Sequence, residues 1–363
     1  MKPEAHEVWG TKAKSAIGNR RTQGMVVQRR PMPTASLGWP YDGPAADRLW
    51  HKSAIGRRAA EGSLMLSAAE ILFCHHHRNL DFPSQDWMDS SISSDGELLH
   101  EYAVLEALRV PGNKVVLSVN LQSVEHSADE RSWAARWPSD SHPRDSAAVA
   151  EIRWFMATDS LDVDDLLKWA QSVSAAGRIA EALVVDDEFS VVTYRLTDAS
   201  PQGSIEADGL QDSLNSLSGG IAMNGGRLYG ADDWNIQQVG IPTDGGVFVD
   251  DLTCELIDSP SGLSVGGEIL ADLLSRGLHP RPGFKYGTRW RCYDKPLGED
   301  HAPFLIVLPE QAPTDWAGAC LASRLAAGVN KTWLLPTNDE GSWCYLAVTR
   351  PPADSRWSNP QRR

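Results

Sequence analysis

The chain has 363 residues, 42% hydrophobic and 23% charged, an ordinary globular composition with length enough for two or more cores. Its 34 lysines and arginines face 48 acids, a formal charge of −14, which excludes a chain-wide basic surface and makes any nucleic-acid contact depend on local basicity. No apolar run approaches the ~18 residues of a membrane span, and residues 1–23 are polar and basic without the apolar core of a signal peptide, so a cytoplasmic protein away from membranes is expected.

In chain order, residues 1–47 are basic and rich in Gly and Pro, and their Lys-Ser-Ala-Ile-Gly string at 14–18 returns at 52–56 as a modest repeat. Ser67 with Glu70 three residues later is a capping box that opens an apolar helix. Cys74-His75-His76-His77 is the cluster that tempts a metal assignment. Adjacent helical residues point in different directions, however, so a half-exposed helix end is expected there and no metal. The five scattered cysteines predict free thiols rather than disulfides. Residues 102–109 read as a further helix, 114–119 as a strand, and the Ser/Asp/Arg-rich stretch 122–147 as a loop insertion.

A connector over about 197–220 reads as linker, and the glycines from Ser218 to Gly226 lack the Gly-Lys-Ser/Thr ending of a phosphate loop. Residues 228–271 make a second small domain, with a helix over 262–274. The expected domains are therefore 1–110, 111–198, a linker 199–220, 221–275 and 276–350, followed by a disordered basic tail over 351–363.

The chemistry-bearing stretch begins at about 276. Residues 288–293 read as a strand, 295–300 as a turn and 304–308 as a buried strand, a hairpin with His301 at the mouth of its second arm. A short helix over 321–329 and a strand over 332–335 put Lys331 where a helix hands over to a sheet, and Pro336 suggests an edge or a bulge. Tyr293, His301 and Lys331 have ordinary titration ranges suited to base, acid and fixed-cation roles, which spacing alone does not distribute. Between 276 and 295, six cations (Arg276, Arg281, Lys285, Arg289, Arg291 and Lys295) meet the single acid Asp294 and interleave with Phe284, Tyr286, Trp290 and Tyr293. That mixture stacks on bases and neutralises phosphates; an edge strand protected by charge fits it as well.

The two halves also compare internally. Ala175-Ala176-Gly177 aligns with Ala326-Ala327-Gly328, and without a gap Tyr194 then meets Tyr345 and Asp186-Asp187-Glu188 meets Thr337-Asn338-Asp339. Under that offset Lys331 falls against Ala180 and His301 against Ala150, so the first half reads as a copy stripped of its chemistry.

Gly283-Phe284-Lys285-Tyr286-Gly287, the aromatic strand ending in Tyr293, His301 before an apolar strand, and the Arg324-to-Lys331 run Arg-x-Ala-x-Gly-x-x-Lys together resemble the catalytic domain of archaeal tRNA-splicing endonucleases. The resemblance covers roughly 270–350; the Leu-Ser-x-x-Glu helix start at 66–70 is similar to the N-terminal domain of that family. It implies an α+β fold of tandem duplicated units, each a small α/β N-terminal domain plus a mixed-sheet nuclease-like domain, the first unit non-catalytic. It further implies Tyr293 as base, His301 as acid and Lys331 as fixed cation in a metal-free, cofactor-free cleavage of precursor tRNA. The products would be a 2′,3′-cyclic phosphate and a 5′-hydroxyl.

Arg324 and, at a looser match, Arg350 would clamp a flipped base, with Lys285 and Arg289 as further RNA contacts. Asp186, Asp187 and Glu188 would dock on a second copy in a homodimer. Two departures stand out: Tyr293 and His301 lie only eight residues apart, and Thr288-Arg289 stands where an acidic residue is common. The competing readings are a non-catalytic structural subunit and a metal-dependent DNA nuclease, for which Asp294, Glu299 and Asp300 are the nearby carboxylates.

Overall fold

The computed structural model describes residues 38–59, 62–258 and 261–360. A small sheet of β1 (Trp39–Tyr41), β2 (Arg57–Arg58) and β3 (Leu64–Leu66), in the order β1-β3-β2, carries α1 (Ala46–Ser53) between its first two strands. Ser67 then caps α2 (Ala68–Arg78): its hydroxyl accepts from the Glu70 amide at 3.2 Å, and the Glu70 carboxylate accepts from the Ser67 amide at 3.0 Å. The second Glu70 oxygen accepts from the Gly56 amide at 2.8 Å. Gly56 has φ +73, and a Cβ there would meet the Met65 carbonyl oxygen at 2.6 Å, so this turn requires glycine. The second Lys-Ser-Ala-Ile-Gly string is thus a helix end and a turn; the first lies outside the described residues.

Each side chain of the cysteine-histidine run has its own surroundings. Cys74 is buried, His75 Nδ1 lies 2.8 Å from the Leu80 carbonyl, His76 stands against Tyr102, and His77 Nε2 is 2.8 Å from Glu106. After α3 (Trp87–Ser94) and α4 (Leu98–Arg109), the chain enters a ten-stranded sheet through β4 (Lys114–Leu117), β5 (Ala134–Trp137), β6 (Ala150–Met156), α5 (Val163–Ala175), β7 (Ile179–Val185) and β8 (Val191–Ala199). A second small unit follows: α6 (Leu210–Ser216), β9 (Ile221–Met223), β10 (Gly226–Tyr229), β11 (Ile241–Thr243), β12 (Gly246–Asp250) and α7 (Asp251–Asp258), its strands ordered β11-β12-β10-β9. The chain returns to the large sheet with α8 (Val265–Ser275), β13 (His279–Pro282), β14 (Trp290–Tyr293), β15 (Phe304–Ile306), α9 (Trp316–Gly328), β16 (Thr332–Asp339) and β17 (Ser342–Thr349).

The large sheet runs β13-β14-β15-β16-β17-β8-β7-β6-β5-β4. In each half the successive pairings are antiparallel, antiparallel, parallel and antiparallel, with α5 or α9 as the crossover of the parallel pair. The halves join where β17 pairs antiparallel with β8, Thr349 opposite Arg195 and Tyr345 opposite Ala199. One face of the sheet is covered by α5 and α9 around Trp169, Trp316, Trp333 and Leu346. The other is covered by α2 and α4 over the first half and by α8 over the second.

Several expectations change. The gapless alignment fails: Tyr194 packs in the α5/α9 core, Tyr345 packs under α8 on the opposite face, and the offset shifts at the β7–β8 turn, which is longer than the Glu340-Gly341 turn between β16 and β17. Thr337, Asn338 and Asp339 accordingly belong to a strand, not a turn. The polar stretch 122–147 contains β5, buried along its length, because Arg136 is neutralised in the interior by Glu181 at 2.7 Å.

The connector is not wholly linker, since its first residues extend β8 against β17 and its later ones form α6. The glycines near 220 open a β9–β10 hairpin. The tail is ordered through residue 360. Trp357 exchanges hydrogen bonds with Thr193 at 2.7 and 2.9 Å and lies 4.8 Å from the Arg136 guanidinium, and Asn359 donates to the Phe189 carbonyl at 2.6 Å. Pro336 sits inside β16 without a bulge. Its missing N–H faces the side on which β15 pairing has already ended at Leu334, a local edge within an interior strand.

Candidate active site

Strand register explains how residues far apart in sequence meet. Cys292 pairs with Phe304 and Phe304 with Thr332, so one residue further along, Tyr293, Pro303 and Lys331 fall in a single row across three strands; the Thr332 amide donating to the Pro303 carbonyl at 2.8 Å fixes the last step. Cys292, Phe304 and Leu334 face α8, while Leu305 and Trp333 face α9, so alternation puts the Tyr293-Pro303-Lys331 row on the α9 face. Two strand spacings separate the Tyr293 and Lys331 backbones, roughly 10 Å, a gap that a phenol and a lysine stem can span from either side. His301 lies two residues before Pro303 on the loop leading into β15. All three residues therefore stand at one end of the sheet.

The surroundings differ in character. His301 is exposed and its amide donates to Asp300 at 2.8 Å, while Asp300 also pairs with Lys295 at 3.1 Å. Half-buried Lys331 donates to the Ala302 carbonyl and stands 5.5 Å over the Tyr286 ring. Partial desolvation and the Arg291 guanidinium hold its ammonium below the usual lysine range. Tyr293 lies under Arg291 at 5.8 Å and opposite the buried His279, ring centroids 6.5 Å apart. An open pocket of about 760 Å³ is lined by Arg281, Arg291, Tyr293 and His301 of the large sheet and by Ile241 and Pro242 of the second small sheet.

The remaining expected residues divide. Arg324 is exposed on α9 and Arg350 is half-buried just after β17; both guanidiniums act on the Tyr194 hydroxyl, so they occupy one neighbourhood. Lys285 is exposed on the tight turn Phe284–Tyr286. Arg289 does not stand free for RNA: it pairs with Asp250 at 2.5 Å and ties β14 to the second small unit. Asp186, Asp187 and Glu188 are exposed at the β7–β8 turn, where the Asp186 carboxylate accepts from the Glu188 and Ser190 amides and shapes the turn itself.

By the same register logic, the first half places Trp137, Val149 and Arg178 where the second places Tyr293, Pro303 and Lys331. Lys331 thus corresponds to Arg178 rather than to Ala180. Trp137 is fully buried, and Arg178 is held by Glu151 at 2.9 Å. Sequence reasoning did not reach Ile241 and Pro242, since no local pattern connects β11 to a pocket formed 40 residues later. Arg281 and Arg291 were visible only as part of a basic stretch.

The family model for the tRNA intron endonuclease catalytic C-terminal domain matches residues 268–345, from within α8 to the middle of β17, and so encloses Tyr293, His301 and Lys331. Over this segment the chain is similar to the tRNA intron endonuclease catalytic domain. A tRNA-splicing endonuclease of Thermoplasma volcanium is 33% identical over 100 residues, 28% of this chain and 34% of the relative. One of Picrophilus torridus is 26% identical over 172 residues, 46% of this chain and 55% of the relative. The matches thus span between a third and just over half of these relatives. The matched segment is the half of the sheet that carries most of the open pocket; the half with Trp137 lies outside it.

Proposed function

We propose that the protein cleaves precursor tRNA at intron-exon junctions by attack of a ribose 2′-hydroxyl on the neighbouring phosphorus. The observation that carries this reading is the row of Tyr293 and Lys331 on one sheet face, with His301 at the same end, inside the segment that matches the tRNA intron endonuclease catalytic domain. Tyr293 takes the 2′-hydroxyl proton, His301 protonates the departing 5′-oxygen, and Lys331 offsets charge on the phosphorane. The products are a 2′,3′-cyclic phosphate and a 5′-hydroxyl.

The first half supplies structure. The repeated strand pattern supports a duplicated architecture, and buried Trp137 with ion-paired Arg178 supports loss of chemistry from the first copy. The substrate is a bulged precursor tRNA, with Arg324 and Arg350 as a clamp for an extruded base, since guanidinium planes stack on bases while keeping their charge. Asp187 and Glu188 dock on a second copy in a homodimer. A metal-dependent nuclease is the weaker reading: Asp300 is engaged by Lys295, and among the described residues no three His, Cys, Asp or Glu side chains are grouped for a metal ion. The test is a precursor tRNA carrying a single 2′-deoxyribose at the junction. Loss of cleavage at that junction alone supports the mechanism; unchanged cleavage rejects it.

A further inference from the structure

Arg281 and Arg291 are cross-strand partners in the β13–β14 register, on the α9 face one row below Tyr293. Like charges placed directly opposite on an antiparallel pair are destabilising. Here, among the described residues, neither arginine has an acid within ion-pair distance. Arg281 donates to the Gly240 carbonyl, and Arg291 Nε is fully enclosed without a hydrogen-bond partner. The pocket carboxylates Glu299 and Asp300 lie on the turn across from them, and Asp300 is engaged by Lys295. Burial and Arg291 hold the Arg281 guanidinium below its usual range, and Arg291 acts in the same direction on Lys331. Arg281 and Arg291 thus repel one another as lining residues of a pocket that also holds Tyr293 and His301.

We propose that Arg281 and Arg291 form a phosphodiester-binding pair, taking an RNA backbone phosphate adjacent to the one held at Tyr293 and His301. The uncompensated charge of the two cross-strand guanidiniums that line the pocket is satisfied by one tetrahedral anion, which accepts several N–H bonds at once. Ile241 and Pro242 complete the wall as an apolar surface for the attached sugar or base. The identity of the phosphate as RNA rests on the proposed function; the existence of an anion site does not.

Two measurements on the full chain test it, neither requiring turnover. In the first, wild type, Arg281→Gln, Arg291→Gln and Lys285→Gln are melted in inorganic phosphate and in chloride at equal ionic strength. The melting temperature of wild type and Lys285→Gln rises by a few degrees in phosphate, whereas the two arginine variants show no rise and are at least as stable as wild type in chloride. In the second, affinity for bulged precursor RNA blocked by a 2′-deoxyribose at the junction is followed against salt. The slope of log K on log salt falls by about 0.7–0.9 in total when the one shared phosphate contact is lost, no further in the double variant than in the more affected single one, and Arg291→Lys restores it.

Retention of the phosphate effect and the salt slope in both glutamine variants would overturn the proposal, as would their unfolding in chloride, which would make the arginines structural. A phosphate effect with no change in the RNA slope would overturn the RNA assignment. A wild type that binds through these arginines yet never cleaves would remove the proposed function and leave the anion site standing.

Discussion

Arg178 occupies in the first half of the sheet the register position that Lys331 occupies in the second, and the two cations have different surroundings. Arg178 is paired with Glu151 at 2.9 Å and donates to the Ser127 carbonyl, while Lys331 has no carboxylate within ion-pair distance among the described residues. One strand pattern therefore presents a neutralised cation in one half of the sheet and an uncompensated one in the other. That contrast is the physical basis for assigning chemistry to the second half.

Removal of single groups from the row has separable consequences. Tyr293→Phe deletes one oxygen and Lys331→Met one charge. Each is expected to lower the single-turnover cleavage rate by about 10²–10⁴-fold with little effect on binding of uncleavable RNA. Rapid-quench kinetics alongside a binding titration checks this.

His279 contributes to the loss of stability in acid. Burial, then the Arg281 charge, lowers its pKa from 6.5 to about 4, and its Nε2 is enclosed without a partner. A folded value below the unfolded one means that the unfolded chain takes up the proton first. The stabilisation is therefore complete above pH 6.5 and is lost as pH falls from 6.5 through about 4. The loss should reach about 3 kcal/mol, and His279→Phe should remove that part of the pH dependence in urea titrations at pH 7.5 and 4.

The C-terminal segment is a structural strap. Trp357 covers the buried Arg136–Glu181 pair and donates to Glu181 Oε2 at 3.3 Å. Trp357→Ala exposes that pair and leaves a cavity, and should cost about 2–4 kcal/mol in chemical denaturation while the open pocket keeps its architecture.

Subunit association is tested at the β7–β8 turn. Asp187→Lys with Glu188→Lys reverses the exposed charge and spares Asp186, which holds the turn. Sedimentation should show the wild-type dimer shifting to monomer at the same micromolar concentration, and a monomeric wild type would dismiss the proposed docking.

Local patterns in the sequence reached the capping box at Ser67, the hairpin mouth at His301 and the helix-to-strand handover at Lys331, because each is set by neighbours within a few residues. What failed depended on distant partners. β5 is readable as a strand only once Glu181 is known to neutralise Arg136, and the tail is readable as folded only once Thr193 receives Trp357. Tyr194 and Tyr345 look equivalent in linear alignment, yet a small change in turn length puts them on opposite sheet faces, since side chains alternate every residue along a strand. Arg289 shows the same limit, because a basic residue in an aromatic strand carries no mark of its pairing with Asp250.

The most direct measurement is the chemical nature of the ends produced from a bulged precursor tRNA in excess chelator. The account predicts cleavage at both junctions with a 2′,3′-cyclic phosphate on one fragment and a 5′-hydroxyl on the other. Cleavage that requires added divalent ion, or that leaves a 3′-hydroxyl with a 5′-phosphate, would contradict it.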